Sequence, residues 1–167
     1  MSTPTNSPRL TTISRSFTFD AAHRLPQMPP EHKCHRLHGH TYRVRVELTG
    51  PLQADGMVYE WGELDEFLRR LHDIVDHRYL NDLHHLAPTT SPIPKTGIKH
   101  QVPQNNPTAE NMARWIYDEV CSEYGTAFGI RIIFHEGEDG QVIVTGDESP
   151  AEPKRPIRRP KRSNEAV

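Results

Sequence analysis

The sequence predicts an α+β domain in which an antiparallel sheet of four strands is covered on one face by two helices. Three observations support this prediction: two alternating segments come first, two segments with helical periodicity follow, and two short alternating segments come last. Strands that are consecutive in sequence most simply pair as antiparallel hairpins. The 167 residues, 34% of them apolar, are enough to build one such domain around a hydrophobic core.

The first two predicted strands each have one apolar face. The alternation begins at Ser14, and its interior positions are Phe17, Phe19, Ala21 and His23. After a connection that contains prolines, the interior positions of the second strand are His38, His40, Tyr42, Val44, Val46 and Leu48. A period of two is typical of strands with one buried face. All three histidines are therefore expected on the interior side of the hairpin.

Helical periodicity marks two segments in the middle of the chain. Residues 62–77 place apolar side chains at helical spacing and charged side chains opposite them. The second helix is predicted over residues 108–124, with Thr108 as its N-cap and Glu110 in the first turn, where the helix dipole favours an acid. Residues 129–135 and 141–145 then form two strands joined by a turn at residues 138–140.

Residues 14–147 are predicted to form the single folded domain. Three segments of the chain, one of them a loop within this domain, do not follow the regular pattern. Residues 1–13 are polar and expected to be flexible, and residues 84–107 hold five prolines and no period, which predicts a long loop. Residues 148–167 are expected to form a disordered basic tail, because residues 151–167 carry six Lys or Arg and two acids. We interpret the tail as a solvated end, with contact to nucleic acid or phosphate as the alternative.

Composition argues against several classes of protein. The net charge of −2 does not fit a strongly basic nucleic-acid binder, so no nucleic-acid partner is expected for the body of the chain. The two cysteines cannot form a disulfide framework, and Cys121 on the second helix is assigned to packing. No signal peptide and no apolar run of membrane-spanning length is recognised. We therefore expect a cytoplasmic protein in a reducing compartment, with no membrane partner.

Histidine is the unusual residue of this composition, with 11 in the chain. In a strand, residues i and i+2 project from the same face, so His38 and His40 point the same way, and a hairpin places His23 beside them. Three imidazoles on an apolar face are costly unless they share a function. Three neutral nitrogens suit zinc and leave its fourth position open, the pattern of a catalytic site. The alternative is that His38 and His40 are ordinary polar residues of the strand. His32 and His35 are interpreted as loop residues, and either of them could bind phosphate.

Four further residues carry functional groups whose roles the pattern leaves open. Cys34 lies four residues before His38, where a metal would favour its thiolate; a small packed thiol is the alternative. Asp76 and His77 end the first helix and can pair only where the helix unwinds; a histidine there is also a common dipole cap. Glu136 follows the third predicted strand and either anchors a cationic group or is an ordinary turn residue.

The chain resembles the 6-pyruvoyltetrahydropterin synthase family, and within it the 6-carboxy-5,6,7,8-tetrahydropterin synthases of the queuosine route. The matching segments are FTFDAAHRL (17–25), CHRLHGHTYRVRVELTG (34–50), GMVYEWGEL (56–64), VDHRYLND (75–82), NPTAENMARWI (106–116) and the strand that ends in His135-Glu136. The resemblance implies the tunnelling fold, in which subunits associate into barrels, typically hexamers, with active sites at subunit interfaces. One difference is Glu60-Trp61, where the family usually has Asp-Phe.

The resemblance also implies roles for the site residues. The zinc ligands are His23, His38 and His40. Cys34 is the catalytic thiol that accepts a proton, and His77, supported by Asp76, is its acid–base partner, which can meet the zinc site of a neighbouring chain. The residues at the pterin are Glu136, which anchors its guanidine-like edge, and Thr108 and Glu110, which border the pocket.

The implied substrate is 7,8-dihydroneopterin triphosphate, and the implied products are 6-carboxy-5,6,7,8-tetrahydropterin, acetaldehyde and triphosphate. Three residues separate Cys34 from His38, as in the carboxytetrahydropterin enzymes, whereas the pyruvoyl-forming enzymes have a longer gap. One alternative is 6-pyruvoyltetrahydropterin synthase or another pterin enzyme of the same fold. A second alternative is a non-catalytic, zinc-stabilised pterin-binding protein.

Overall fold

Five strands in one sheet and two α-helices make up the described part of the chain. The computed structural model describes residues 9–86, 102–103 and 105–146. The elements are β1 (Leu10–His23), β2 (His38–Pro51), α1 (Trp61–Val75), β3 (Arg78–Tyr79), α2 (Ala109–Tyr124), β4 (Gly129–Glu136) and β5 (Gly140–Thr145). The order of strands across the sheet is β3-β1-β2-β4-β5. The predicted α+β class is confirmed, with one strand more than the four predicted.

β1 and β2 form the long antiparallel hairpin that the alternation predicts. His23 pairs with His38, and Ala21 pairs with His40. Because paired residues of an antiparallel ladder project from the same face, the three histidines share one side and one end of the hairpin.

β1 begins four residues earlier than predicted. The pairing with β2 extends to Leu10 opposite Pro51, whereas the alternation predicts a start at Ser14. Residues 10–13 are mostly exposed, so backbone hydrogen bonds to β2 rather than burial hold them in the sheet. Hydrophobic periodicity cannot detect such residues. Residues 1–8 of the predicted flexible N-terminus lie outside the described residues.

The additional strand follows α1, and the prediction of a purely antiparallel sheet of four strands is wrong in this detail. α1 ends at Val75, and His77 adopts a positive φ of 54°. β3 then pairs in parallel with Ala21 and Ala22, on the edge of β1 away from β2. A strand of two residues is too short to show a period in the sequence.

Both helices pack on the same face of the sheet. α1 contacts β1, and α2 contacts β4 and β5. The buried side chains between the layers include Phe19, Tyr42, Val44, Val46, Leu48, Ile132 and Phe134 from the sheet, and Leu64, Leu68, Leu71, Ile74, Met112, Ile116 and Val120 from the helices. Cys121 is half-buried and packs against this core, in agreement with its assignment to packing.

Side-chain caps define the starts of both helices. The Glu60 carboxylate accepts the backbone N–H groups of Gly62 and Glu63 at 2.9 and 2.8 Å. Glu60 therefore serves as the N-cap of α1. It occupies the position at which the family that the chain resembles usually has Asp. Thr108 Oγ1 accepts the N–H of Asn111 at 3.3 Å, which confirms the predicted N-cap of α2.

The β4–β5 hairpin places Glu136 near the histidines. β4 pairs with β2 in antiparallel fashion, and Glu136 stands opposite Tyr42, two residues along β2 from His40. The turn occupies residues 137–139, one residue earlier than predicted. Gly137 has a φ of 66°, a left-handed conformation that glycine adopts without strain.

Two predicted segments fall largely outside the described residues. These are the basic tail over residues 148–167, and residues 87–101 and 104 of the loop predicted over residues 84–107. The described parts of that loop include the end of a short 3₁₀ segment, Leu80–Leu86, and the buried Val102. In the described part of the chain, none of the helices has the length and hydropathy needed to cross a membrane.

Truncation of a core residue should separate packing from surface effects. Ile116 is fully buried between α2 and the sheet, whereas Leu52 is 56% exposed. Ile116→Ala is expected to lower the free energy of unfolding by about 2–5 kcal/mol, because the cavity adds to the lost burial. Leu52→Ala should change it by less than about 0.5 kcal/mol. Urea unfolding followed by circular dichroism measures both, and equal losses would contradict the described core.

Candidate metal centre and active site

Three imidazoles converge at one end of the β1–β2 hairpin. The centroid of the His23 ring lies 4.5 Å from that of His38 and 5.3 Å from that of His40. One nitrogen from each ring belongs to a group whose members all lie within 4.8 Å of one another. His23 is 1% exposed, and the other two residues are half-buried. The structure therefore brings the three predicted ligands together.

Backbone carbonyls orient two of the three rings. His23 Nδ1 lies 2.8 Å from the carbonyl oxygen of Pro107, and His38 Nδ1 lies 2.7 Å from that of Arg36. Because a carbonyl only accepts, both Nδ1 atoms carry a proton and donate it. Nε2 of each neutral ring then keeps its lone pair. Metal-binding histidines are typically oriented by such a hydrogen bond from the other ring nitrogen.

The buried nitrogen of His23 shows that these residues fit a metal ion. His23 Nε2 is buried and has no hydrogen-bond partner among the described residues. Burial is the largest influence on the pKa of His23 and lowers it, against the hydrogen bond to Pro107 and the charge of Glu136. The ring is thus held in the neutral form that a metal requires. A buried lone pair without a donor is unfavourable alone, and three imidazole nitrogens are a suitable donor set for zinc.

The Glu136 carboxylate lies against the same nitrogens. Its Oε1 is 3.4 Å from His23 Nε2 and 3.7 Å from His40 Nε2. The hydroxyl of Tyr42 donates a hydrogen bond to this oxygen at 3.4 Å. Burial raises the pKa of Tyr42, so the phenol keeps its proton and remains a donor. Glu136 is therefore the last residue of a strand and faces the imidazoles, which argues against its being an ordinary turn residue.

Cys34 lies in a short 3₁₀ turn, Lys33–His35, between the two histidine-bearing strands. Its carbonyl accepts the N–H of Leu25 at 2.8 Å, and its own N–H donates to His32 Nδ1 at 3.1 Å. His35 Nδ1 lies 2.9 Å from the Met28 carbonyl. These bonds fold the connection back onto the chain just beyond His23. The thiol of Cys34 is half-buried and forms no disulfide.

Asp76 and His77 form the pair that the sequence allows only where the helix unwinds. Asp76 is the C-cap of α1, and the positive φ of His77 brings its Nδ1 to 2.7 Å from Asp76 Oδ2. Asp20 holds the pair from β1, because its N–H donates to Asp76 Oδ1 at 3.0 Å and its carbonyl accepts the His77 N–H at 2.7 Å. His72 Nε2 lies 3.7 Å from the shared Asp76 Oδ2.

The pair shifts the pKa values of both members. The hydrogen bond to Asp76 is the largest cause that raises the pKa of His77, followed by the charge of that carboxylate. The pKa of Asp76 is lowered, chiefly by the N–H of Asp20 and also by His77. The raised pKa favours the protonated form of His77, and a side chain that is 80% exposed can exchange this proton with a bound molecule.

β1 separates this pair from His38 and His40, the two histidines of β2 in the same chain. His77 contacts the edge of β1 that faces away from β2, whereas His40 stands on β2. A shallow depression of about 680 Å³ has both residues in its lining, together with Asp20 and Thr41. Within the described residues, no hydrogen bond or ion pair connects Asp76 or His77 to the three imidazoles.

The start of α2 borders the imidazole cluster through its backbone. The carbonyl of Pro107, directly before the N-cap, orients His23. The hydroxyl of Thr108 is occupied by the cap, and Glu110 is exposed in the first turn. Sequence reasoning missed Pro107, although the expected Nδ1 hydrogen bond of a ligand histidine predicts some such acceptor.

Tyr42 and Asp20 were also missed as members of the site. Tyr42 shares the apolar parity of its strand, so the pattern predicts only a core residue. Asp20 acts through its backbone, for which the sequence holds no signal.

Comparison with known proteins identifies relatives over most of the chain. The profile of the family described as 6-pyruvoyl tetrahydropterin synthase matches residues 12–147. The 6-carboxy-5,6,7,8-tetrahydropterin synthase of Synechocystis sp. is 35% identical over 113 residues, which are 63% of this chain and 70% of that protein. The 6-carboxy-5,6,7,8-tetrahydropterin synthase of Haemophilus influenzae is 31% identical over 115 residues, which are 65% and 80% of the two chains.

Solved structures share the fold. The 6-pyruvoyl tetrahydropterin synthase of Caenorhabditis elegans superimposes with a TM-score of 0.63 at 24% identity, covering 84% of this chain and 98% of that one. The 6-pyruvoyl tetrahydropterin synthase of Plasmodium falciparum gives a TM-score of 0.61 at 17% identity, with coverages of 81% and 97%. At these identities the likeness establishes the fold alone.

Removal of the Asp76 charge should lower the pKa of His77. Asp76→Asn keeps an oxygen for the Asp20 N–H but loses the charge that favours the imidazolium, so the pKa should fall toward the ordinary value of about 6.5. NMR titration of the His77 Cε1–H signal measures it. Asp73→Asn is the control, since Asp73 contacts His72 rather than His77. A His77 titration that is the same in wild type and Asp76→Asn would refute the pairing.

The same shifts give the sign of the pH dependence of stability. Because the folded pKa of His77 is raised, its contribution is complete below the unfolded pKa and disappears as pH rises through the folded value. Because the folded pKa of Asp76 is lowered, its contribution is present above the unfolded pKa and disappears as pH falls through the folded value. The free energy of unfolding, measured with urea at a series of pH values, should show neither of these two pH-dependent changes in Asp76→Asn.

Proposed function

The chain belongs to the 6-pyruvoyl tetrahydropterin synthase family, and from this premise we propose that it is a 6-carboxy-5,6,7,8-tetrahydropterin synthase. The proposed reaction converts 7,8-dihydroneopterin triphosphate and one water molecule into 6-carboxy-5,6,7,8-tetrahydropterin, acetaldehyde and triphosphate. It is a zinc-dependent carbon–carbon lyase reaction of the queuosine route.

The observation that carries the proposal is the convergence of three imidazoles around one buried, unpartnered nitrogen. His23, His38 and His40 would hold the metal through one nitrogen of each ring. In His23 and His38 this is Nε2, because Nδ1 donates to a backbone carbonyl. Three neutral nitrogens suit zinc, and zinc when bound supplies Lewis-acid polarisation of the oxygens on the substrate side chain. A binding site for a molecule with neighbouring hydroxyl groups is the expected consequence.

Cys34 and His77 are the proposed proton-transfer residues. Cys34 is half-buried in the turn that leads into the metal-binding strand, and we assign to its thiolate the removal of a proton from the substrate side chain. His77, whose pKa is raised by Asp76, can deliver and take back a proton from another direction. Proton movements of this kind permit elimination of triphosphate and cleavage of the carbon–carbon bond.

Residues of two chains are proposed to complete each active site. Within one chain, β1 stands between the Asp76–His77 pair and the two histidines of β2, His38 and His40, and the His77 side chain is largely exposed. A pair directed outward at a strand edge can reach the metal centre of a neighbouring subunit. We therefore propose a homo-oligomer of the barrel type, with a hexamer as the expected form, and a small-molecule pterin as the ligand of each interface.

Two observations favour the carboxy-forming reaction over 6-pyruvoyltetrahydropterin synthesis. Three residues separate Cys34 from His38, the shorter gap. The relatives at 31–35% identity bear the name 6-carboxy-5,6,7,8-tetrahydropterin synthase. The pyruvoyl-forming reaction and other pterin reactions of the fold are the first alternative.

A non-catalytic, zinc-stabilised pterin-binding protein is the second alternative. A protein that only binds has no need for a thiol beside the metal-binding strand together with an exposed acid–base pair. The presence of Cys34, Asp76 and His77 in one chain therefore favours the enzyme.

Product analysis distinguishes these reactions. The metal-loaded protein with 7,8-dihydroneopterin triphosphate is expected to release acetaldehyde and triphosphate, and chelation of the metal should abolish both. Acetaldehyde is measured by coupled reduction with an NADH-dependent dehydrogenase, and the pterin by mass spectrometry. Release of triphosphate without acetaldehyde would indicate the pyruvoyl-forming reaction. Substrate binding without turnover would indicate the non-catalytic protein.

Loss of the Cys34 thiol should stop turnover without loss of metal. Cys34→Ala is expected to lower kcat by roughly 10²–10⁴-fold, the usual contribution of a general acid or base, while its metal content, measured by atomic absorption, stays that of the wild type. Cys121→Ala is the matched control, since Cys121 packs against the core on α2. Full turnover of a metal-loaded Cys34→Ala protein would exclude the thiol from the mechanism.

A further inference from the structure

The connection between β1 and β2, residues 24–37, is a cationic segment of a chain whose net charge is −2. It holds Arg24, Lys33 and Arg36 against the single acid Glu31, and two histidines in addition. Clustered charges of one sign raise the local concentration of oppositely charged ligands. An anion is therefore the kind of ligand that this segment attracts.

Two arginines of this connection line one cavity. The cavity has a volume of about 630 Å³ and is lined by Arg24, His35 and Arg36 together with the uncharged Ala22, Leu37 and Tyr79. Among the described residues, no acid belongs to this lining, and no carboxylate forms an ion pair with either guanidinium group. A cleft that combines charges of one sign with low-dielectric walls concentrates the electric field. The cavity thus has the charge and the walls of an anion-binding site.

Hydrogen bonds fix the residues that carry these cationic groups. The Asn81 side chain accepts the Arg24 N–H at 2.9 Å through Oδ1 and donates to the Arg24 carbonyl at 3.1 Å through Nδ2. The carbonyl of Arg36 accepts a hydrogen bond from His38 Nδ1 at 2.7 Å. His35 Nδ1 lies 2.9 Å from another backbone carbonyl. The backbone of each arginine is therefore held in place, and that of Arg36 also orients a proposed metal ligand.

The cavity continues toward the proposed proton-transfer pair. Ala22 and Tyr79 line both this cavity and the depression of about 680 Å³ that has His77 in its lining. In the proposed reaction, the triphosphate is attached to the same substrate side chain from which protons are removed. An anion in the cavity is thus adjacent to the depression in which His77 lies.

We propose that the cavity lined by Arg24 and Arg36 binds the triphosphate group of the substrate. The identity of this substrate rests on the proposed function, whereas the anion site rests on the cavity and its charges. Guanidinium groups bind phosphate oxygens through paired, charge-assisted hydrogen bonds. Because the triphosphate leaves as a free anion in the proposed reaction, the cavity is also expected to bind inorganic triphosphate.

Titration of the metal-loaded full chain with inorganic triphosphate tests the anion site. Wild type, Arg24→Gln, Arg36→Gln and Arg9→Gln are compared by isothermal titration calorimetry at equal metal content, which is measured again afterwards because triphosphate also binds metal ions. Loss of either cavity arginine is expected to weaken binding at least roughly tenfold. Arg9 is exposed at the end of the hairpin away from His23, so its variant should bind as the wild type does.

A comparison of two pterins connects the anion site with the substrate. Both are titrated into Cys34→Ala proteins, in which no turnover is expected. 7,8-Dihydroneopterin lacks the triphosphate, so Arg24→Gln and Arg36→Gln should leave its affinity unchanged and weaken only the binding of 7,8-dihydroneopterin triphosphate. Equal losses for both pterins would overturn the proposal, because they would indicate a general defect of the site.

The outcomes separate the anion site from the proposed function. Wild-type affinity for inorganic triphosphate in both cavity variants would overturn the anion site and leave the proposed reaction standing. Weaker triphosphate binding in both variants, together with a wild type that does not turn over the substrate, would support the anion site and overturn the proposed function.

The salt dependence of binding is a test that does not depend on the folding of a variant. The affinity of the wild type for inorganic triphosphate should fall several-fold between about 50 and about 300 mM KCl, because salt screens the attraction between the charges. An affinity that is independent of salt would overturn the proposal.

Discussion

The antiparallel pairing of β1 with β2 is the constraint on which the rest of the site depends. It sets His23 opposite His38 and Ala21 opposite His40, so the rings meet on rigid strands. The same register stacks Phe19 on Tyr42, with ring centroids 4.8 Å apart, directly beneath the imidazoles. A slip of one residue would turn the side chains of one strand to the other face relative to its partner, and so divide His23 from the two histidines of β2.

Features that depend on local periodicity could be predicted from the sequence. The parity that places Phe19 and Val44 in the core also places the three histidines on the same face, so the fold class and the cluster follow from one pattern. The start of α2 could be predicted in the same way, because its capping side chain, Thr108, acts within three residues. Cys34 could be located four residues before His38, but the residue pattern alone left its role open, because His77, the residue proposed as its partner, is far away in sequence.

Local sequence periodicity could not predict the contacts between distant parts of the chain. Nothing local indicates that Glu136 faces His23, because that contact depends on how β4 is aligned with β2. The short strand β3 and the positive φ of His77 arise where a helix end meets the edge of β1, and they could not be foreseen from residues 76–79 alone. The site is thus a product of strand register and chain reversal as much as of residue type.

The hydrogen bond from His23 to the Pro107 carbonyl joins positions 84 residues apart and closes a large loop of the chain. The entropy of loop closure grows only with the logarithm of length, and a doubling changes it by about 0.6 kcal/mol. Residues added or removed between Leu86 and Val102 would therefore alter the closure free energy little, while the carbonyl that orients His23 stays in place. The chain can therefore diverge in length in this region during evolution without disturbing the orientation of His23.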